Sequence, residues 1–483
     1  MRALRWWFLG ALAAQGCKDA APAPQDAAAD VAAADLGADT AMDASTLPPW
    51  PRTLPVSSAL GAPPGYRVAR SIVHAHSVHS HDACDNTPYV DGGPNEPCLR
   101  HFREAACATH LDVIFLTEHA GHMAEGPFAR VLQPREDDEL VPGAAGPIGV
   151  RIHCRDGHRV LVLPGAENEL MPIGLTRHPD PVDGGLNRAY HAEDPAGVRR
   201  FREAGALVAI PHTEQRSVAL LRELSPDLIE IYNVHANADP RLAMQWLGLD
   251  VGPSLVDLLR FAREGSELEP DLAFITFFRE SPTDLRTWAT LLSEGRRIPG
   301  VGGTDVHENT FTGLLRDGER GDSYRRLFRF FANMVLVSGE VNRETVLDAL
   351  RAGRSYTAFE AWGTPVGFAF TAEAAGRSAL MGAEVALSSR PTLTARRPSV
   401  YELPATLPPP RITMRLLRAE TDGRWTVVAE GAGETLEHRP EAPGVYRAEV
   451  RIVPEHARPY LPGMERLVRE LPWVYANPIY VTP

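Results

Sequence analysis

Val68-Ala-Arg-Ser-Ile-Val-His-Ala-His-Ser-Val-His-Ser-His-Asp82 opens as an apolar strand and closes as a run of metal-ligating side chains. Residues 68–73 carry β-branched side chains that suit a pleated, buried strand. His74 and His76 follow at a spacing of two, which puts both imidazoles on one face. Neutral imidazole is the commonest metal ligand. The crowding extends through the middle of the chain: fifteen of the 17 histidines lie from His74 to His307, and only His438 and His456 lie beyond.

Outward from that stretch the pattern repeats. Strand-like runs at 113–117, 160–163, 207–210, 228–232 and 301–303 alternate with helical stretches near 97–109 and 196–204. Such alternation predicts a parallel α/β sheet or barrel. Residues 151–154 and 159–163 flank Asp156-Gly157 and read as an inserted hairpin. Each predicted strand end delivers a candidate ligand: His74 and His76, Glu118-His119, Glu167, His212, then Asp305 and His307. In αβ barrels, catalytic groups gather at the C-terminal strand ends. Imidazoles mixed with carboxylates suit zinc, manganese or iron. Seven or eight ligands exceed what one tetrahedral ion takes, so two or three divalent ions are expected, with Glu167 as the bridge. Such clusters generate hydroxide at neutral pH and clamp the oxygens of a displacement.

His74-Ala-His76-Ser77, Thr117-Glu118-His119, Pro164-Gly165-Ala166-Glu167, Pro211-His212, Glu230-Ile-Tyr-Asn233 and Gly303-Thr304-Asp305-Val306-His307 together resemble the successive motifs of the PHP (polymerase and histidinol phosphatase) superfamily. The resemblance covers about residues 66–365, up to a helical stretch at 341–353 and the following Arg354-Ser355-Tyr356. It implies a distorted (β/α)7 TIM-like barrel with a trinuclear metal site. By that resemblance His74 and His76 hold one ion with Glu167 and Asp305. Glu167 bridges to a second ion on His212, and His119 and His307 hold the third. The third ion's remaining ligand falls at Ser80-His81-Asp82, where Asp82 is preferred to His81. For the second ion's remaining histidine, His178 is chosen over His153 and His191. Glu167, Asp305 and His212 are the expected catalytic groups, with Glu118 and Asn233 supporting the ligands from behind. His79, His101, His110, His122, His158 and His235 are read as structural or supporting, and Arg325–Arg329 as a solvated helix face.

Composition narrows the chemistry. A formal net charge of −13 argues against nucleic acid as a partner. All the basic residues except Lys18 are arginine, so no Schiff-base lysine, P-loop lysine or metal-bridging carbamate is available in the folded region. That removes the bridging carbamate familiar in the broader amidohydrolase barrels, which also open with His-x-His. At the N-terminus, Arg2, Arg5 and the apolar run 6–14 precede Ala14-Gln15-Gly16-Cys17, a lipobox-like sequence with Cys17 as the lipidated residue. The chain is therefore expected to be an exported, membrane-anchored lipoprotein on the periplasmic or cell-surface face.

In an oxidising compartment Cys84, Cys98, Cys107 and Cys154 suit two disulfides. Cys98 and Cys107 sit nine residues apart on one predicted helix, on opposite faces, so they do not pair. The pairings 84–98 with 107–154, and 84–107 with 98–154, remain, the first favoured because it closes the Gly/Pro-rich loop. The expected organisation is a signal peptide and lipobox at 1–17, a disordered Ala/Asp/Pro-rich tether at 18–65, a metal-binding barrel at 66–370 and a C-terminal β-sandwich at 371–483. The function expected is phosphoester hydrolysis by hydroxide formed at a di- or trinuclear site. The rivals are an ester, amide or carbamate hydrolase on the same barrel, and a catalytically idle surface-binding lipoprotein.

Overall fold

The apolar runs become strands buried along most of their length: β1 (Arg67–Ala75), β2 (Val113–His119), β3 (Arg159–Glu167), β4 (Met171–Ile173), β5 (Leu207–Ile210), β6 (Leu228–Asn233) and β7 (Gly300–Gly303). The structure is a computed structural model and describes residues 47–483. The signal segment, Cys17 and residues 18–46 of the expected tether lie outside the described residues.

Pairing is parallel for β1–β2, β2–β3, β5–β6 and β6–β7, while β4 bridges β3 and β5 antiparallel. A parallel bridge between Ala75 and Val306 brings the segment after β7 back beside β1. Two further strands, β8 (Phe331–Val337) and β9 (Ser355–Phe359), extend the sheet antiparallel from β1. Among the described residues the fold is mixed α/β, built on a large sheet of 17 strands.

Side chains alternate across these strands, as the period of two requires. Ala69, Val73, Val113, Phe115, Leu161, Leu163, Leu207 and Val301 form one apolar cluster. Val346, Leu347, Ala349 and Leu350 of the helix Arg343–Arg351 join it. Ile72, Ile114, Leu116, Val160, Val162, Val208 and Ile231 point the other way, into the larger core with helix residues Phe102, Val198 and Phe201. The helices Glu96–Ala108 and Pro195–Glu203 supply that cover, each begun by an Asn or Asp cap and a proline in the first turn. The helix expected at 341–353 is shorter, Arg343–Arg351, and Asn342 caps it. The expected hairpin forms between Gly146–His153 and β3.

Three expectations need correction. The tether does not reach residue 65: Trp50, Leu54 and Leu60 are buried, and residues 47–483 make one compact unit. A few large apolar residues among prolines were enough to fasten a stretch whose average composition reads as unfolded. The region beyond 370 does carry the expected sheets, one of them Ala369–Ala374 with Arg377–Leu380, Thr392–Arg396 and Thr435–His438. It is not set apart, because Leu471–Ala476 pairs with β9 and joins the other C-terminal strands to the large sheet. The Arg325–Arg329 cluster is not solvated. Arg325, Arg326 and Arg329 are buried, and Asp271 accepts two hydrogen bonds from Arg325, at 2.6 and 2.8 Å, and another from Arg326. The carboxylate that draws them in lies 54 residues away from Arg325, beyond any local pattern.

The disulfides are Cys84–Cys98 and Cys107–Cys154. Arg70 on β1 is fully buried and makes two hydrogen bonds to the equally buried Glu360, at 2.9 and 3.1 Å. Its other nitrogen donates to Pro55 O at 2.6 Å and His110 O at 3.1 Å, so one guanidinium ties the N-terminal segment to the sheet. Removing one member of a buried pair leaves the other charge unpaired and costs on the order of 3–5 kcal/mol. Glu360→Ala is therefore expected to lose about that much stability in chemical denaturation, whereas a loss below about 1 kcal/mol would show the pair to be dispensable.

Candidate metal centre

β1 turns its last residues into the site through its own hydrogen bonds. His74 Nδ1–H donates to Glu230 Oε1 at 2.6 Å, and His76 Nδ1–H donates to Ser80 Oγ at 2.7 Å. Each bond commits one ring nitrogen and leaves Nε2 as a ligand atom. Ser80 Oγ in turn donates to Glu118 at 2.8 Å, and Glu118 also takes the Ser77 N–H at 3.1 Å and the Ser77 hydroxyl. On the other side, Glu230 accepts the His212 N–H at 2.9 Å and Asn233 Nδ2–H at 3.0 Å. Gly303 is required there, since a Cβ would overlap the Glu230 carboxylate.

The free ring nitrogens and carboxylates then meet. His74 Nε2 and His76 Nε2 stand 3.1 Å apart. Asp305 Oδ1 lies 3.3 Å from both, and Glu167 offers Oε1 to His74 and Oε2 to His76 at 3.4 Å each. Four ligands about 2.0–2.1 Å from a shared ion stand roughly 3.3–3.4 Å apart in a tetrahedron. The same two Glu167 oxygens also face outward, Oε1 to His212 Nε2 and Oε2 to His119 Nδ1, again at 3.4 Å. Asp82 lies 3.4 Å from His119 Nε2 and 3.5 Å from His307 Nε2. His307 Nδ1–H is held by Asp305 O at 3.0 Å.

Several buried atoms lack any hydrogen-bond partner: His307 Nε2, Asp82 Oδ1 and Asp305 Oδ1. All three face the cluster, and donors of this kind fit a bound cation. Four groups of side chains are close enough to hold ions: His74/His76/Glu167/Asp305, His76/His119/His307, His81/Asp82/His119 and His235/Asp305/His307. The backbone accepts strain to place two of these ligands, as His212 (φ 49°) and Asp305 (φ 50°) both adopt the left-handed region.

Charge is distributed accordingly. Burial works against the protonated form of His74, but Asp305, Glu230 and Glu167 carry its pKa well above the usual histidine range. Burial likewise opposes the His119 cation, yet Asp82 and Glu167 hold its pKa up at about 9. His212 is raised well above its ordinary value by Asp305, Glu167 and Glu214, against the pull of burial. Burial and the neighbouring His307 push His76 down to about 3. Burial would raise Glu167, but the imidazoles of His74 and His212 hold it well below the usual carboxylate range. Asp305 is depressed in the same way by His74, His235 and His212.

Of the residues singled out in the sequence, His74, His76, Asp82, His119, Glu167, His212, Asp305 and His307 converge, with Glu118 and Asn233 behind them. Asp82, not His81, lies between His119 and His307, while His81 is exposed beside the His119 ring. His178 does not join. Its Nδ1 is engaged by the Tyr190 hydroxyl at 2.9 Å and its Nε2 by Gly126 O at 3.0 Å, so both nitrogens are satisfied away from the cluster. His235, read as structural, takes that side of the site with Nδ1 3.0 Å from Asp305 Oδ2. Its signal was its position two residues past the end of β6, the rule that picked out the other ligands. Glu214 was also missed: it accepts from His212 Nδ1 at 3.1 Å, and the spacing His212-Thr-Glu214 was its signal.

No protein-family model matches the chain, and no curated protein matches it. A solved structure to which it is similar is a two-domain protein containing a predicted PHP-like metal-dependent phosphoesterase, from Bacteroides vulgatus ATCC 8482. Identity is 14%, the match covers 89% of this chain and 98% of that one, and the TM-score is 0.36.

His235→Ala is expected to lower metal content measured by plasma emission, whereas His178→Ala leaves it unchanged; the reverse pattern would contradict the ligand set. Because His74, His119 and His212 carry protons in the metal-free state, binding must expel them. Calorimetric titration with zinc in buffers of different ionisation enthalpy should show proton release, and affinity should fall as pH drops through about 9, where His119 takes up its proton. A binding heat independent of the buffer would contradict it.

Proposed function

We propose that this chain is a metal-dependent phosphoesterase whose reaction takes place at a cluster of two or three divalent ions (zinc, manganese or iron). The observation that carries this reading is Glu167. Its two oxygens each lie between two imidazoles, Oε1 between His74 and His212 and Oε2 between His76 and His119. A carboxylate so placed suits a bridge between ions. His74, His76 and Asp305 would complete one site, His212 and His235 a second, and His119, His307 and Asp82 a third. Bound ions of this kind polarise a phosphoryl oxygen and lower the pKa of water.

The chain's own residues prepare the rest. Glu230 and Ser80 orient His74 and His76 so that their Nε2 atoms face inward. Burial of Glu118 raises its pKa, but hydrogen bonds from Ser77 and Ser80 oppose that rise and hold the carboxylate in place. His74 and His76 are fully enclosed, whereas the side chains of His119, Asp82 and His235 are 25%, 28% and 30% exposed. Substrate therefore meets the cluster on that flank, and the enclosed side excludes water.

The succession β1–β2–β3–β4–β5–β6–β7 and the return from Val306 to Ala75 support a distorted (β/α)7 barrel, closed below by the helix Arg343–Arg351. The β7–β1 return is also what sets Asp305 and His307 against His74 and His76. We place the protein outside the cytoplasm on its N-terminal lipobox-like sequence, anchored through Cys17.

The metal-loaded chain is expected to hydrolyse bis-p-nitrophenyl phosphate or p-nitrophenyl phosphate in preference to p-nitrophenyl acetate. Glu167→Ala should lose metal and turnover together, with activity reduced by on the order of a thousandfold or more. Ester turnover without phosphoester turnover would favour the carboxyl-ester rival. Full phosphoester activity in the metal-depleted Glu167→Ala protein would overturn the reading.

A further inference from the structure

The helix Gly252–Ala262 packs only one of its faces. Ser254, Leu258 and Phe261 are buried, while Leu255, Val256 and Leu259 stand outward at 40%, 63% and 53% exposure. Positions 255, 256 and 259 share one side of a helix, so these three make a stripe. Met244 (68%) and Trp246 (37%), on the preceding turn Ala243–Leu247, are exposed as well. Five of the ten exposed large apolar side chains among the described residues thus fall within residues 244–259. Single exposed apolar residues need no explanation, but a concentrated set marks an interaction surface.

Two observations say what covers it. The first is where the chain enters the described body. Pro48 O accepts a hydrogen bond from Tyr460 at 2.6 Å. Three residues on, Gly463 O accepts from Arg260 of the helix at 3.0 Å, and Arg466 pairs with Asp257 on the same helix. The described residues therefore begin, at Leu47, close to the segment that this helix contacts. The second is the chemistry of the stripe. It combines leucine, valine, methionine and tryptophan, side chains that enter a lipid interface, with a rim of both charges: Arg241, Arg260 and Arg263 alongside the equally exposed Asp250, Glu264 and Glu267.

We propose that the face formed by Met244, Trp246, Leu255, Val256 and Leu259 seats on a lipid bilayer surface. The turn Ala243–Leu247 packs against Val234–Ala238, which carries His235, and against Thr213–Gln215, which follows His212. Seating this face brings the exposed flank of the metal centre to the membrane surface. The inference does not depend on which reaction the centre performs. With a net charge of −13, the protein is drawn to the surface by apolar contact more than by charge.

The test is amide hydrogen exchange on the full chain made without its lipid (Cys17→Ser), with and without vesicles of phosphatidylcholine and phosphatidylglycerol. Amides across 243–262 are expected to slow by about tenfold when vesicles are present. The combined Leu255→Glu, Val256→Glu and Leu259→Glu variant, with the same thermal unfolding temperature, should lose that slowing. Unchanged exchange across 243–262 in protein that sediments with vesicles would overturn the proposal, as would failure to sediment. Slowing that needs no lipid and grows with protein concentration would assign the face to a second copy of the chain, and would overturn it equally.

Discussion

Two histidine nitrogens facing each other at 3.1 Å, with two carboxylates alongside, are the constraint on which the rest of this molecule depends. Lone pairs at that separation repel unless a proton or a cation lies between them. Protons answer part of the problem, since His74, His119 and His212 are held charged by Asp305, Glu167 and Asp82. They do not answer all of it. His76 is pushed toward its neutral form, and His307 Nε2 and Asp305 Oδ1 keep no partner. Cations bound in the groups His74/His76/Glu167/Asp305 and His76/His119/His307 would satisfy these atoms at the separations they already have.

Holding such a cluster open requires support that the strands alone do not provide. Glu230 and Glu118 lie fully buried behind the ligands, and each collects several donors so that its own burial is tolerable. Glycine at 303 makes room for one of them. His212 and Asp305 take left-handed backbone, a conformation that costs about 1–3 kcal/mol where the side chain is not glycine. The large sheet and the Arg70–Glu360 pair give the surrounding rigidity against which such strain can persist. Stability is spent at the strand ends and recovered in the alternating apolar layers beneath them.

Much of this was legible in the sequence because strand ends are local. An apolar run followed by His-x-His, Glu-His or Asp-x-His declares both the strand and what stands at its mouth, which is why seven of the ligand positions come together as read; the eighth, Asp82, lies well past the end of β1 and is reached only through the resemblance. His178 failed for the opposite reason. It lies five residues past the short strand β4, and its partners, Tyr190 and Gly126, come from segments that no spacing connects to it. His235 is legible by the strand-end rule, but standing alone, without a second ligand beside it in the sequence, it reads first as a structural histidine. The buried arginines of Tyr324–Phe330 were illegible in principle, since a charged helix face reads as solvated until Asp271 arrives from another part of the chain. The packed stretch after Leu47 was hidden by averaging. Composition describes a segment, whereas Trp50, Leu54 and Leu60 act one at a time.

The central claim is that the ions lie among these side chains and that Glu167 joins them. Anomalous X-ray scattering from crystals of the metal-loaded protein, measured at the absorption edge of the added metal, tests it most directly. The account predicts at least two peaks flanking Glu167, one of them about 2.0–2.2 Å from His74 Nε2 and His76 Nε2. A fully loaded crystal with no peak within ligand distance of Glu167, or with its metal held elsewhere, would contradict it.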